Sequence, residues 1–362
     1  MPNWYEPMQQ TFEYYVVDRN TWKDSQLLTN VKSCSITRDL ETDTLGSASF
    51  ELTDSLGECY VRVYLITIQN GVKERHPLGT FLVQTPSSSF DGMVRAVSVD
   101  AYTPLIELKE NSPDLGFSIL KDEMIDGRKK TIMEHACGLI KDWTAVPVVT
   151  TSSDKLLLSH FTAETDENRL TFLRALIAQA EYSFGLDDIG RIIFEPDQEL
   201  DAMQAVTTFD DGNSSILYPE ITMDHDLFGI PNVVEVIYNK DGKYIRKIVE
   251  NTDPNSPVSI PIRGRRIAHR VVNPSFSGSN IVWDDLVEDY ANKLLKSLST
   301  AQYKLKYTHG YYPVRLRDCV RLNYERAGIT NVKARIISQT IKCEPGCPVS
   351  ETATFTNKLW EG

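Results

Sequence analysis

The feature that most limits how this chain can fold is the order of elements predicted between residues 231 and 322. A strand over residues 232–238 leads through a turn at residues 239–242 to a partner strand over residues 244–249. A long segment rich in Pro, Ser and Gly then precedes one amphipathic helix over residues 283–298. A strand over residues 314–322 follows the helix. Few protein classes share this order, so it limits the fold more than any single motif.

The first hundred residues predict β-structure. Period-two alternation of apolar and polar residues, together with β-branched and aromatic runs, predicts six strands, which lie at residues 11–17, 31–37, 47–53, 59–69, 78–83 and 94–102. Asn70 and Gly71 form the strongest hairpin signal between them. We expect an N-terminal domain over residues 1–104 that is a small antiparallel β-barrel or sandwich.

Helical spacing first becomes prominent after Pro104. Apolar residues recur every three or four positions around residues 132–143, and again in a helix expected from Glu167 to Ala180, for which Thr165 or Asp166 is the predicted N-cap. A hairpin is expected across residues 182–194. These elements predict an α+β middle module over residues 105–206, a linker over residues 207–228, and a C-terminal β-barrel domain with one amphipathic helix over residues 229–362. The predicted fold class is therefore α+β and mostly β.

The charge of the chain argues against binding of nucleic acid through its phosphates. The 362 residues carry 50 acidic and 38 basic side chains, a formal net charge of −12, whereas phosphate binding requires a basic patch. An acidic surface suits a conduit through which DNA passes without sticking. No apolar run approaches the length that crosses a bilayer and no signal peptide is evident, so we expect no membrane insertion and synthesis in a cytoplasm.

Paired carboxylates are the first place to look for catalysis. Adjacent residues on a strand point to opposite faces, and on a helix they lie about 100° apart, so adjacency disfavours a shared site. Each pair also has a structural explanation, in a turn or in the first turn of a helix. The pairs are Asp187–Asp188, Asp210–Asp211 and Asp284–Asp285.

Thiols and aromatic side chains also have structural explanations. The six cysteines are scattered and lack the spacing of a zinc site, which predicts free thiols, including Cys343 and Cys347 on either side of a turn. Tyr307, Tyr311 and Tyr312 form the densest aromatic cluster, interpreted as core or as a subunit contact. The sequence therefore nominates no catalytic residue, no cofactor-binding residue and no metal ligand, and it predicts neither a cofactor nor an enzyme.

Several segments resemble the baseplate hub proteins of phage tails, the family that includes the late control protein D group. The closing strand of that family has the pattern Leu-x-x-Gly-Asp-x-Val, which Val314–Val320 resembles except that Arg317 stands where the glycine is usual. The other segments that resemble the family are Ser35-Ile-Thr-Arg-Asp39, Gly46-Ser-Ala-Ser-Phe-Glu-Leu52, Leu78-Gly-Thr-Phe-Leu-Val83, Thr171-Phe-Leu-Arg-Ala-Leu176, Gly190-Arg-Ile-Ile-Phe194 and Asn232-Val-Val-Glu-Val236.

This resemblance implies two tail-tube-like β-barrels in each subunit and a homotrimer that forms a pseudo-sixfold ring. Such a ring joins the sixfold tail tube to a threefold spike in the baseplate or tip of a virion assembled in the host cytoplasm. The implied partners are other copies of the chain, the tail tube or distal tail protein, the central spike or tail-tip protein, the tape-measure protein, and DNA that passes without specific binding. The alternatives are a tail-tip cell-wall hydrolase and a host-surface binding module.

Overall fold

The fold is mostly β with a few helices, as the sequence predicts. A computed structural model describes residues 2–90, 95–212, 215–240, 242–276 and 283–360. A large, mainly antiparallel sheet dominates it. The class α+β, mostly β, is confirmed.

The strands and helices of the described residues follow one another along the whole chain. The strands are β1 (Gln9–Val17), β2 (Asp24–Leu28), β3 (Val31–Asp39), β4 (Gly46–Leu52), β5 (Cys59–Gln69), β6 (Val72–Phe90), β7 (Arg95–Tyr102), β8 (Ser118–Ile119), β9 (Met124–Ile125), β10 (Arg128–Lys129), β11 (Phe161–Thr162), β12 (Tyr182–Leu186), β13 (Ile192–Pro196), β14 (Ala205–Asp210), β15 (Leu217–His225), β16 (Val233–Lys240), β17 (Lys243–Glu250), β18 (Ala268–Val272), β19 (Thr300–Gly310), β20 (Cys319–Tyr324), β21 (Ile329–Lys342) and β22 (Pro348–Lys358). The α-helices are α1 (Ile106–Lys109), α2 (Ile132–Trp143), α3 (Arg169–Ala178), α4 (Ile260–Arg263) and α5 (Asp284–Leu298).

The chain forms two compact units. Unit 1 contains Met1–Ile221 and Tyr307–Thr352, and unit 2 contains Thr222–Lys306 and Ala353–Gly362. This division differs from the predicted borders at residues 104, 206 and 228. Unit 1 combines the predicted N-terminal domain, the predicted middle module and part of the predicted C-terminal domain.

Unit 1 begins with the predicted β-rich segment. Strands β3, β4, β7, β6, β5, β1 and β2 are hydrogen-bonded in that order, and the short β2 is the strand that the sequence pattern did not predict. The hairpin between β5 and β6 is closed by Asn70 at φ +52° and Gly71 at φ +79°, with Gln69 opposite Val72. Two central residues with positive φ form the tight hairpin turn that the Asn-Gly signal predicts.

The helices of unit 1 pack on this sheet. α2 has the predicted apolar face, and Thr131 and Glu134 close a capping box at its start. α3 begins at Arg169 with Asn168 as its N-cap, so the predicted N-cap, Thr165 or Asp166, is wrong. One core cluster combines Trp22 and Tyr60 of the N-terminal segment with side chains from both helices. The predicted border at residue 104 therefore crosses a single hydrophobic core.

The C-terminal strands extend the same sheet. β21 pairs with β3 through residues such as Ile341 and Ile36, and β20 pairs with β21. β14 lies parallel to β20. The predicted linker over residues 207–228 therefore contains most of strand β14 and all of strand β15. The strand predicted over residues 314–322 begins only at Cys319, because a turn occupies the residues before it.

Unit 2 contains the hairpin and the helix from which the sequence argument started. β17, β16 and β18 form a three-stranded sheet in that order, and Lys240 opposite Lys243 closes the predicted hairpin. Asp241 of the predicted turn lies outside the described residues. α5 packs through Val287, Ala291 and Leu295 onto this sheet, and the predicted helix is confirmed to within one residue.

Candidate functional site

The turn between β12 and β13 is where three segments of unit 1 meet. The backbone carbonyl of Ile189 accepts hydrogen bonds from Trp22 Nε1 at 2.9 Å, Thr80 Oγ1 at 2.8 Å and Arg62 Nη2 at 3.1 Å. Asp187 organises the turn itself, since its carboxylate accepts from the backbone N–H groups of Ile189 and Arg191. The hairpin tip is thereby fixed to the N-terminal sheet.

Arg62 is the buried cation of this junction. Its side chain is only 4% exposed and forms an ion pair of 2.9 Å with Asp24. Its Nε donates to Thr80 Oγ1 at 2.8 Å, and its Nη2 also donates to the carbonyl of Trp22 at 3.2 Å. The guanidinium therefore has partners on each of its three nitrogens, which is the condition under which a buried charge is tolerated.

Gly190 allows the turn to approach the sheet closely. It adopts φ +79°, and a Cβ added to it would lie 2.6 Å from Thr80 Cβ. Both the left-handed conformation and the missing side chain are thus required at this position. The hairpin predicted across residues 182–194 contains Gly190, but no sequence pattern indicates its contact with Thr80.

Two further arginines attach the C-terminal segment to the same hairpin. Arg315 forms a bidentate pair with Asp188. Arg317 Nη1 donates to the carbonyl of Phe184 at 2.6 Å and to Glu195 at 3.0 Å. Burial raises the pKa of Glu195, and the neighbouring Arg317 opposes that rise. These contacts connect residues that are more than 120 positions apart in sequence.

Arg317 adopts a left-handed backbone conformation. Its φ is +67°, in the left-handed region that glycine enters most easily. Its N–H donates to the carbonyl of Ile336 at 2.9 Å, and the N–H of Asp318 donates to Arg315. A turn therefore forms here with an arginine at the left-handed position.

A small cavity lies between these charged groups. It is lined by Arg38, Asp188, Glu195 and Arg317, among others, and has a volume of about 50 Å³. A water molecule needs roughly 10–15 Å³ by this measure, so the space suits a few waters that bridge the ion pairs. The geometry of the junction supports positioning of segments rather than recognition of a substrate.

A second polar cluster is fully buried in unit 1. Glu351 accepts from Tyr307 Oη at 2.6 Å on Oε2 and from Gln339 Nε2 at 2.5 Å on Oε1. His309 Nε2 lies 3.3 Å from the same Oε1. Phe209 stacks on His309 with ring centroids 4.4 Å apart. Burial and the Glu351 carboxylate raise the pKa of Tyr307. Tyr307 and Tyr311 belong to the core, which confirms the first of the two interpretations of this aromatic cluster for those residues.

Members of the other two carboxylate pairs also have structural partners. Asp210 accepts from the N–H of Gly212 at 2.9 Å, and Asp211 pairs with Arg326 at 3.1 Å. In α5, Asp284 lies 3.4 Å from Lys247. Each of these carboxylates therefore positions backbone or binds a neighbouring cation.

All six cysteines are free, as predicted. Cys34 and Cys343 lie on neighbouring backbone segments, joined by a 3.0 Å hydrogen bond from Cys343 N to Cys34 O. Burial, followed by the nearby Cys343 and Cys347, raises the pKa of the Cys34 thiol. Among the residues that the structure describes, no group of three or more His, Cys, Asp or Glu side chains could hold a metal ion.

Comparison with solved structures finds this fold in two tail proteins, and a third shows a weaker likeness. The tail protein from Neisseria meningitidis MC58 has a TM-score of 0.61 at 12% identity, over 96% of this chain and 97% of that chain. The 43 kDa tail protein of prophage MuSo2 from Shewanella oneidensis has a TM-score of 0.60 at 12% identity, over 95% and 98% of the two chains. Prophage tail protein gp18 from Listeria monocytogenes EGD-e has a TM-score of 0.45 at 15% identity, over 96% and 95%.

At these identities the likeness shows the shared fold alone. The sequence matches no protein-family model and no curated protein. Within the described residues, no helix is long and apolar enough to cross a membrane.

Proposed function

We propose that this chain is a structural protein of a phage tail or a phage-like particle, and that it forms the hub ring of the baseplate or tip. The observation that carries the proposal is the fold shared with two phage tail proteins over nearly the full length of both chains. The hub-like segments of the sequence, from Ser35 to Val320, support the same assignment.

The proposed mechanism is adaptation of symmetry. Three copies, each with two tube-like barrels, present six similar surfaces to the sixfold tail tube and a threefold surface to the central spike or tip protein. Heterologous contacts that close after three subunits produce such a ring. A stable ring of this kind buries about 2,000 Å² or more at each contact.

The ring would surround the route of DNA and of the tape-measure protein. The net charge of −12 supports a channel wall that repels the phosphate backbone. In this proposal the chain acts without catalysis or a cofactor, and its place is the virion, after assembly in the host cytoplasm.

The junction around the hairpin tip supports a role that requires a rigid subunit. Arg315 pairs with Asp188, and the guanidinium groups of Arg62 and Arg317 donate to backbone carbonyls. Such satisfied networks fix a single arrangement of segments. A protein that joins a tube to a spike requires this rigidity, because its two faces must keep their register.

Imaging of the purified chain by negative-stain electron microscopy tests the proposal. We expect closed rings with threefold symmetry and a central channel. Particles without a channel at every protein concentration would contradict it. A parallel assay of cell-wall hydrolysis and of binding to host cells addresses the two alternatives, and we expect neither activity.

A further inference from the structure

The three-stranded sheet of unit 2 has one covered face and one open face. α5 covers the side on which Val234, Val236 and Ile245 lie. Side chains alternate between faces along each strand, and Lys247, on the covered side, pairs with Glu288 of α5 at 3.0 Å. The residues that alternate with these along β16 and β17 point to the opposite face of the same sheet.

That opposite face, here called the open face, exposes large apolar side chains. The cross-strand register places Glu235 between Ile248 and Arg270, and Ile237 beside Val272. Tyr244 is 65% exposed, Val272 is 57% exposed and Ile248 is 41% exposed. A half-covered sheet with this apolar content is typical of a surface that binds another protein.

Two arginines pair with one carboxylate at the centre of the open face. Arg246 Nε and Arg270 Nε each lie 2.6 Å from one of the two carboxylate oxygens of Glu235, whose side chain is only 8% exposed. The arginine side chains are half exposed or more. Two guanidinium groups on one carboxylate leave an excess positive charge at the centre of an apolar patch. Arginine and aromatic residues are also the types enriched in protein interfaces.

The charge of the chain is distributed unequally between its units. Unit 2 has 13 basic and 11 acidic residues, a formal net charge of +2, and unit 1 has 25 basic and 39 acidic residues, a net charge of −14. A second copy of the chain therefore carries an acidic surface that complements the open face of unit 2. Complementary charges steer association and set which surfaces meet.

We propose that the open face of unit 2 binds the acidic surface of unit 1 in a second copy of this chain. The contact is heterologous, since two different surfaces meet, and this is the type of contact that closes into rings. The inference rests on the proposed ring function and identifies the surface that forms the ring.

DNA is a less suitable occupant of the open face. Phosphate binding depends on basic side chains that release counterions, but Arg246 and Arg270 already share the carboxylate of Glu235. The exposed Ile248 and Val272 gain nothing from a phosphate backbone. An apolar face with a central positive charge fits a protein surface with acidic residues.

Self-association of the purified full-length chain tests the inference, measured by sedimentation velocity over a wide concentration range. Val272 lies at the edge of the sheet and is exposed, so Val272→Glu and Val272→Lys should both fold. The two variants remove the same apolar group and differ in the sign of the charge. Lys293→Gln, on the exposed side of α5, lowers the charge of unit 2 as much as Val272→Glu does and serves as the control.

We expect Val272→Glu to weaken self-association by about tenfold or more. Val272→Lys should weaken it much less, and Lys293→Gln should leave it unchanged. If the Val272 variants unfold, Tyr244→Glu and Tyr244→Lys repeat the comparison on the neighbouring strand. A Val272→Glu variant that associates like the natural chain would overturn the proposal, and so would a natural chain that is monomeric at every concentration.

Two other outcomes separate the parts of the argument. An equal loss of self-association in the Glu and Lys variants would contradict an acidic partner surface. Binding of a short labelled DNA duplex that competes with self-association would contradict it too. An assembly of another size that still depends on Val272 would support the surface and contradict the threefold ring. The two proposals can thus fail independently.

Discussion

Gly190 and Thr80 are in contact across the junction of unit 1, and the contact leaves no room for a side chain on the glycine. A Cβ at residue 190 would lie 2.6 Å from Thr80 Cβ, and the glycine has φ +79°. Gly190→Ala should therefore destabilise unit 1 by about 3 kcal/mol or more, as the sum of backbone strain and a clash with the sheet. Thermal unfolding of the purified variant measures the loss.

Gly71 provides a matched control for this prediction. It has the same φ of +79°, and nothing lies within 4 Å of the position of its Cβ. Gly71→Ala should lose only the stability that backbone strain costs, about 1–2 kcal/mol. Equal losses for the two alanine variants would show that the close approach to Thr80 contributes nothing.

Removal of the buried guanidinium of Arg62 should be costly. Arg62→Met removes the buried partner of Asp24, which keeps Arg75 at 2.9 Å, and it removes the donor to the carbonyl of Trp22. A buried polar group that loses its partner costs about 1–3 kcal/mol. Arg326→Met, in which the lost arginine is 74% exposed and pairs with Asp211, should cost less than about 1 kcal/mol. Similar melting temperatures for the two variants would contradict the role assigned to Arg62.

The left-handed backbone at Arg317 predicts a difference between two substitutions. Arg317→Gly and Arg317→Ala both lose the contacts with Phe184 and Glu195. Only alanine retains the strain at φ +67°, so the glycine variant should be more stable by about 1–2 kcal/mol. Denaturant unfolding of both variants under one set of conditions gives the difference. An alanine variant as stable as the glycine variant would show that this turn relaxes.

The capping box of α2 predicts a pH dependence. The ion pair with Arg128, followed by the hydrogen bond from the N–H of Thr131, lowers the pKa of Glu134 from 4.5 to about 2. A lowered folded-state pKa contributes stability above pH 4.5, and that contribution is lost as the pH falls towards 2. At pH 6 the natural chain should therefore have a higher melting temperature than Glu134→Gln. The difference between the two melting temperatures should disappear as the pH falls through this window. A gap that is the same at every pH would contradict the assignment.

Local patterns in the sequence predict the elements of this fold well. The Asn70–Gly71 hairpin, the apolar face of α2 and the amphipathic helix α5 each depend on neighbouring residues, and the structure contains all three. The errors in local structure are small, such as the N-cap of α3 at Asn168.

Long-range pairing is what the sequence could not show. β21 joins β3 across some three hundred residues, and Ile189 meets Arg62 although neither position has a distinctive neighbour. No periodicity encodes such contacts, because the strands that pair are chosen by burial and shape in the folded state. The borders predicted at residues 104 and 228 also differ from the limits of the two units, because such long-range contacts define the units.

The absolute mass of the purified chain by light scattering, over a wide concentration range, tests the central claim most directly. The ring account predicts a trimer, three times 41.0 kDa or about 123 kDa. A mass that stays at 41.0 kDa at every concentration would contradict self-assembly into a ring.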